Sequence, residues 1–135
     1  MSLITWSSEQ FATNVSKHDI EHQEIFRLLN VLGDSVASSD RDAVGRDLDA
    51  LIAYVAEHFA SEEANFEAYG YPAYPGHKAE HDKLVATALD LQKKFHAGEA
   101  EVTADTAAFL VGWLTDHIPK IDKLYGSFLN EKGVA

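Results

Sequence analysis

Apolar positions along this chain step by three and four residues in four separate stretches, the spacing that keeps side chains on one face of an α-helix. The first runs through His22, Ile25, Leu29, Leu32 and Val36, and the second through Val44, Leu48, Leu51, Val55, His58 and Glu62. The third runs through His77, His81, Leu84, Ala88, Leu91 and Phe95, and the fourth through Leu110, Leu114, His117, Ile121, Leu124 and Phe128. Helices are therefore predicted over about 18–38, 41–69, 76–97 and 104–130. Breakers separate them: Ser39-Asp40 and Asp42, the segment from Gly70 to Gly76 with two of the three prolines, then Gly98, with Thr103 or Asp105 as the next cap. Residues 1 to about 17 hold no period and carry Trp6, Phe11 and Val15, so an extended arm packed by its aromatics is expected. No segment alternates like a strand. The pattern predicts an all-α fold, an antiparallel up-down-up-down four-helix bundle with an extended N-terminal arm, in one domain spanning residues 1–135.

Ligand-type residues occupy core positions in every one of these stripes. Helical residues four apart differ by roughly 40° in azimuth, so His58 with Glu62, and His77 with His81, each aim two donors at one place. A lone pair of this kind is more often polar-face decoration than a site. Here the substitution recurs in four helices, and burying an ionised carboxylate without a partner costs several kcal/mol or forces a pKa shift. A metal ion would remove that cost. His117 and Asp122 fit less simply, because five residues in a regular helix separate side chains by roughly 140°. Pro119 lies between them, lacks an N–H, and would clash with the carbonyl of Thr115, so a local π-like wide turn is expected to bring the two back onto one face.

The five imidazoles of His22, His58, His77, His81 and His117 and the carboxylates of Glu62 and Asp122 exceed what one six-coordinate ion accepts. Two ions fit better. If both carboxylates and one solvent-derived oxygen bridge them, the histidines divide three and two, leaving one ion five-coordinate. Mixed imidazole and carboxylate donors at such coordination suit iron or manganese more than structural zinc. The chain has no cysteine, which excludes disulfides, thiolate sites and cysteine-ligated clusters. A formal charge of −11 argues against nucleic acid or anionic lipid as partner. With no leader pattern and no run of about 18 apolar residues, no membrane insertion is expected and a cytoplasmic location is.

Four motifs then match a known pattern: Asp19-Ile20-Glu21-His22, His58-Phe59-Ala60-Ser61-Glu62, Gly70-Tyr71-Pro72 leading to His77-x-x-x-His81, and Trp113-Leu114-Thr115-Asp116-His117-Ile118-x-x-x-Asp122. Together they resemble the bacterial hemerythrins over nearly the whole chain. The resemblance implies a non-haem centre of two irons with an oxo or hydroxo bridge, binding O2 reversibly for carriage, storage or delivery, and no enzymatic turnover. It assigns His77, His81 and His117 to one iron, His22 and His58 to the five-coordinate one, and Glu62 and Asp122 as bridges. Leu114, Trp113 and Ile118 become candidates for the wall of an O2 pocket, with ordinary core packing as the competing account for each. An oxygen-consuming enzyme or a reductase is the implied partner.

Two departures matter. Where that family commonly reads Ile-Asp-x-Gln-His, this chain has His18-Asp19-Ile20-Glu21-His22. His18 is expected as a solvated histidine at a helix start, with a base or proton route behind the metal as the alternative. Glu21 and Asp19 either steer a ligating imidazole through its far nitrogen or favour the helix N-terminus by charge. His96 is expected to be exposed or structural near the end of the third helix. Competing functions are a di-iron oxidase or peroxidase, and an O2 or iron sensor or iron store acting through a partner. Ferritin-like oxidases show Glu-x-x-His pairs, and this chain contains none.

Overall fold

A computed structural model describes residues 3–135 and is all-helical, with no strand among the described residues. Met1 and Ser2, the first two residues of the expected arm, lie outside it. The elements are α1 (Ser8–Phe11), α2 (Ser16–Ser38), α3 (Arg41–Tyr69), α4 (Tyr74–His96), α5 (Ala104–His117), a π-helical turn (Ile118–Asp122) and α6 (Lys123–Glu131). Helix α2 packs against both α3 and α5, and α3 against α4.

Local chemistry sets these boundaries. Helix α2 closes on Ser39 in the left-handed conformation, and the next residue, Asp40, caps α3 by accepting from the Ala43 N–H. Helix α3 ends on Gly70 at φ 67°, where a side chain would be strained. Helix α4 starts at Tyr74, earlier than the prolines suggested, because Pro75 sits in its first turn, where the missing N–H has no helical partner to lose. Thr103 and Thr106 cap α5 reciprocally.

The arm departs from a simple extended strap. Residues 8–11 form a helical turn capped by Ser7, and α2 begins at Ser16. Trp6, Phe11 and Phe26 form a ring cluster with centroids 4.9–5.8 Å apart. Asn30 pins the chain start, accepting from the N–H groups of Leu3 and Ile4 and donating to the Ile4 carbonyl. Farther along, the Thr13 carbonyl lies against Gly126, so close that a Cβ there would collide with it. The arm therefore crosses α6 where no side chain intervenes.

The π turn changes what α6 presents inward. Lys123 N–H reaches the carbonyl of Ile118, five residues back, so the turn absorbs one extra residue and shifts all later positions by about one step. The unbroken stripe predicted Ile121, Leu124 and Phe128 inside. Leu124 is instead 63 % exposed, and the buried set is Ile118, Asp122, Tyr125 and Leu129.

Candidate metal centre

Each expected ligand is buried: His22, His58, Glu62, His77, His81, His117 and Asp122 are all at most 5 % exposed. His22 comes from α2, His58 and Glu62 from α3, His77 and His81 from α4, His117 from the end of α5 and Asp122 from the π turn. Their donor atoms gather into two overlapping groups, His77, His81, His117 and Asp122 on one side, and His22, His58, Glu62 and Asp122 on the other. Within each group all donors lie within 4.8 Å of one another. Glu62 also faces the first group, with Oε1 3.2 Å from His81 Nε2 and 3.7 Å from His77 Nε2. The wide turn does what His117 and Asp122 required: Asp122 Oδ1 lies 2.8 Å from His117 Nε2.

These donors point at common centres and not at one another. Asp122 approaches His77 at 2.9 Å and His22 at 3.1 Å, yet Nε2 of His22, His58, His77, His81 and His117 makes no aligned hydrogen bond, nor do Glu62 Oε1 and Asp122 Oδ1. Seven buried polar residues with such orphaned atoms would be very costly without a shared partner. Neighbouring ligands of an octahedral ion with bonds of about 2.1 Å sit about 3 Å apart. The observed spacings match that requirement, and the donor set of imidazole nitrogen and carboxylate oxygen suits iron.

The electrostatics favour cations here. Burial pushes the His58 imidazole down, but Glu62 and Glu21 outweigh it and raise the group to about 10. Burial likewise opposes His77, while Asp122 and Glu62 raise it to about 9. Burial alone would raise the Glu62 and Asp122 carboxyls, yet the surrounding imidazoles hold both well below the usual carboxylate range. The pair of carboxylates thus demands positive charge at the ring nitrogens, which protons or metal ions can supply.

Behind the donors stand groups that orient them. Glu21 Oε1 lies 2.9 Å from His58 Nδ1, so the departure at position 21 steers an imidazole. Glu63 does the same for His81 Nδ1 at 3.0 Å. Asp19 faces elsewhere, accepting from the Thr13 N–H and hydroxyl. Flat rings back the imidazoles: Phe59 stacks on His81 at 3.7 Å and Trp113 on His117 at 4.2 Å. His96 is exposed and pairs with Asp49. His18 overturns its expectation. It is fully buried, because four residues before His22 is the same inward face, and it bonds to Tyr125 and Asn65. Sequence reasoning missed Glu63, Asn65 and Tyr125 altogether.

A cavity of about 90 Å³ adjoins this centre, lined by His22, His58, His117 and Asp122 and, among its apolar residues, by Leu114, Trp113 and Ile118. Its lining is almost wholly apolar.

A helical fold holding paired histidine and carboxylate metal groups is the class these observations define. The family model described as the hemerythrin HHE cation binding domain matches residues 13–129. A bacteriohemerythrin of Methylococcus capsulatus is 53 % identical over 130 residues, covering 96 % of this chain and 99 % of that protein. A second, from Stenotrophomonas maltophilia, is 31 % identical over 125 residues, 93 % of this chain and 80 % of that one. A crystal structure of wild-type hemerythrin superposes with a TM-score of 0.92 at 53 % identity, covering 93 % of this chain and 97 % of that one. The chain belongs to the hemerythrin family. It is an O2-binding protein with a di-iron centre, and not an enzyme.

Proposed function

We propose that His77, His81 and His117 hold one iron, that His22 and His58 hold the other, and that Glu62 and Asp122 bridge the two. The observation that carries this reading is the convergence of buried donor atoms that lack any other partner. When bound, the iron pair supplies the electrons that reversible O2 binding needs. The chain's own residues supply everything else. Glu21 and Glu63 each fix one imidazole, one on either side of the centre, so that Nε2 faces inward. The His22/His58 side has one imidazole fewer and opens on the cavity, so we place the O2 position there.

Leu114, Trp113 and Ile118 form the pocket wall in this reading. A cavity of this size could hold water, since roughly 10–15 Å³ suffices for one molecule, but away from His22, His58, His117 and Asp122 its wall offers water few polar partners. A small apolar gas needs none. The wall thus admits O2 while disfavouring the entry of water. The same reading takes residues 1–135 as one domain with α2, α3, α4 and the α5–α6 segment as an up-down-up-down bundle crossed by the arm. No helix among the described residues is long and apolar enough to cross a membrane. The protein in this reading works in the cytoplasm and hands O2 to an oxygen-consuming enzyme, with a reductase restoring the ferrous form.

The test is direct. Anaerobic iron-loaded protein should bind two irons per chain, change its visible spectrum on exposure to O2, and return to the starting spectrum when the gas is removed. A change that does not reverse, or one iron per chain, would defeat the proposal.

A further inference from the structure

The two oxygens of the Glu62 carboxylate are not equivalent. Tyr125 donates its phenolic hydrogen to Glu62 Oε2 at 2.6 Å, while Glu62 Oε1 has no hydrogen-bond partner. The phenol is fully buried and held by ring contacts to His18, Phe66 and His77. Thr13 also reaches it, but a buried carboxylate at this distance is the stronger acceptor.

That single commitment fixes a whole chain of bonds. A phenol has one hydrogen, so with it given to Glu62, the Tyr125 oxygen accepts from His18 Nδ1 at 2.9 Å. His18 Nε2 then carries no hydrogen and accepts from the Asn65 amide, also at 2.9 Å. Burial holds His18 neutral, pulling it down to about 4 against the attraction of Glu62, as this arrangement requires. Every donor therefore points the same way, from Asn65 through His18 and Tyr125 to Glu62, and bonds aligned in this sense polarise one another.

The recipient oxygen lies on one side only. Glu62 Oε2 is 3.3 Å from His58 Nε2 and 3.5 Å from His22 Nε2, whereas Oε1 faces His81 and His77. A carboxylate oxygen that accepts a short hydrogen bond has less charge to give a cation. Resting on the ligand assignment above, we propose that Tyr125, oriented by His18, is a positioning residue that withdraws charge from the Glu62 oxygen on the His22/His58 side and so raises the reduction potential of the iron held there. The relay thereby favours the ferrous form that accepts O2.

Potentiometric titration of the iron-loaded protein tests this. Replacing Tyr125 by 3-fluoro- and 2,3-difluorotyrosine should raise the potential in the order of phenol acidity, a trend that a packing role would not produce. Tyr125→Phe should lower it by at least a tenfold shift toward the ferric form, about 59 mV for a one-electron step. His18→Gln, which keeps a donor, should stay near the parent, and His18→Leu should move toward Tyr125→Phe. A potential unchanged across the fluorotyrosine series overturns the proposal even if Tyr125→Phe does not fold. Nitrogen-15 NMR of the metal-free protein should show His18 as the neutral Nδ1–H tautomer, and the Nε2–H tautomer would overturn it independently. Failure of the ligand assignment itself has a different signature, namely retention of two tightly bound irons by Glu62→Ala.

Discussion

Helices α2 to α6 enclose two interiors with opposite energetics. At one end, Ile25, Leu29, Leu32, Leu48 and Leu51 pack as an apolar core that gains free energy from burial alone. At the other, seven imidazole and carboxylate side chains are buried just as deeply, and each costs free energy until something occupies the point on which it converges. One end contributes stability with or without metal. The other contributes it only once its donors have a shared partner, and it is positioned by the first.

Removing the metal should expose this difference most strongly. Chelation should lower stability by about 4 kcal/mol or more, the contribution of a ligand present at a thousandfold its dissociation constant. For a chain of this size that is a fall of roughly 10–15 °C in Tm. Calorimetry with and without chelator measures it, and an unchanged Tm would erase the distinction between the two ends. Next in size, Leu32→Ala, at a fully buried core position that does not line the cavity, should cost about 3 kcal/mol in both metal-loaded and metal-free protein, with the oxygenated spectrum unaltered. A cost confined to one form would mean that the apolar end is not independent of the metal.

A pH experiment sharpens the boundary between them. The unfolded chain protonates His18 near 6.5, while the folded protein does so only near 4, so the unfolded state binds more protons in that window. Stability should fall as pH drops from about 6.5 to 4, by about 1.4 kcal/mol per unit at most. Urea unfolding of His18→Gln beside the parent isolates this group, and parallel pH profiles would refute it. Leu114→Ala should have the smallest effect on stability, about 2 kcal/mol at a residue already facing a cavity, but should hasten autoxidation of the O2 adduct by admitting water. Equal autoxidation rates would remove Leu114 from the pocket wall.

The sequence displays this centre well because metal ligands obey helical spacing as strictly as leucines do. His58 and Glu62, or His77 and His81, are legible as pairs for that reason alone. The wide turn was legible too, from the mismatch between His117 and Asp122 with Pro119 between them. Its downstream effect was not. A stripe extended without the extra residue chose Leu124 for the interior, and so Tyr125, the deepest aromatic of α6, was passed over. His18 was misjudged for another reason. Its spacing from His22 pointed inward, but a histidine at a helix start is commonly solvated, and the partners that make its burial tolerable, Tyr125 and Asn65, lie 107 and 47 residues away. Contacts made across such separations leave no periodic trace.

The π turn also gives the chain a spare residue. Deleting exposed Lys120 together with Pro119→Ala would convert residues 117–122 to ordinary helical spacing. His117 and Asp122 would then be four positions apart and still share a face, while α6 would be drawn back by about 1.5 Å along its axis without being turned over. Its length could therefore be trimmed by one residue while the inner face kept its order, so this loop-free segment has a tolerance to deletion usually reserved for surface loops.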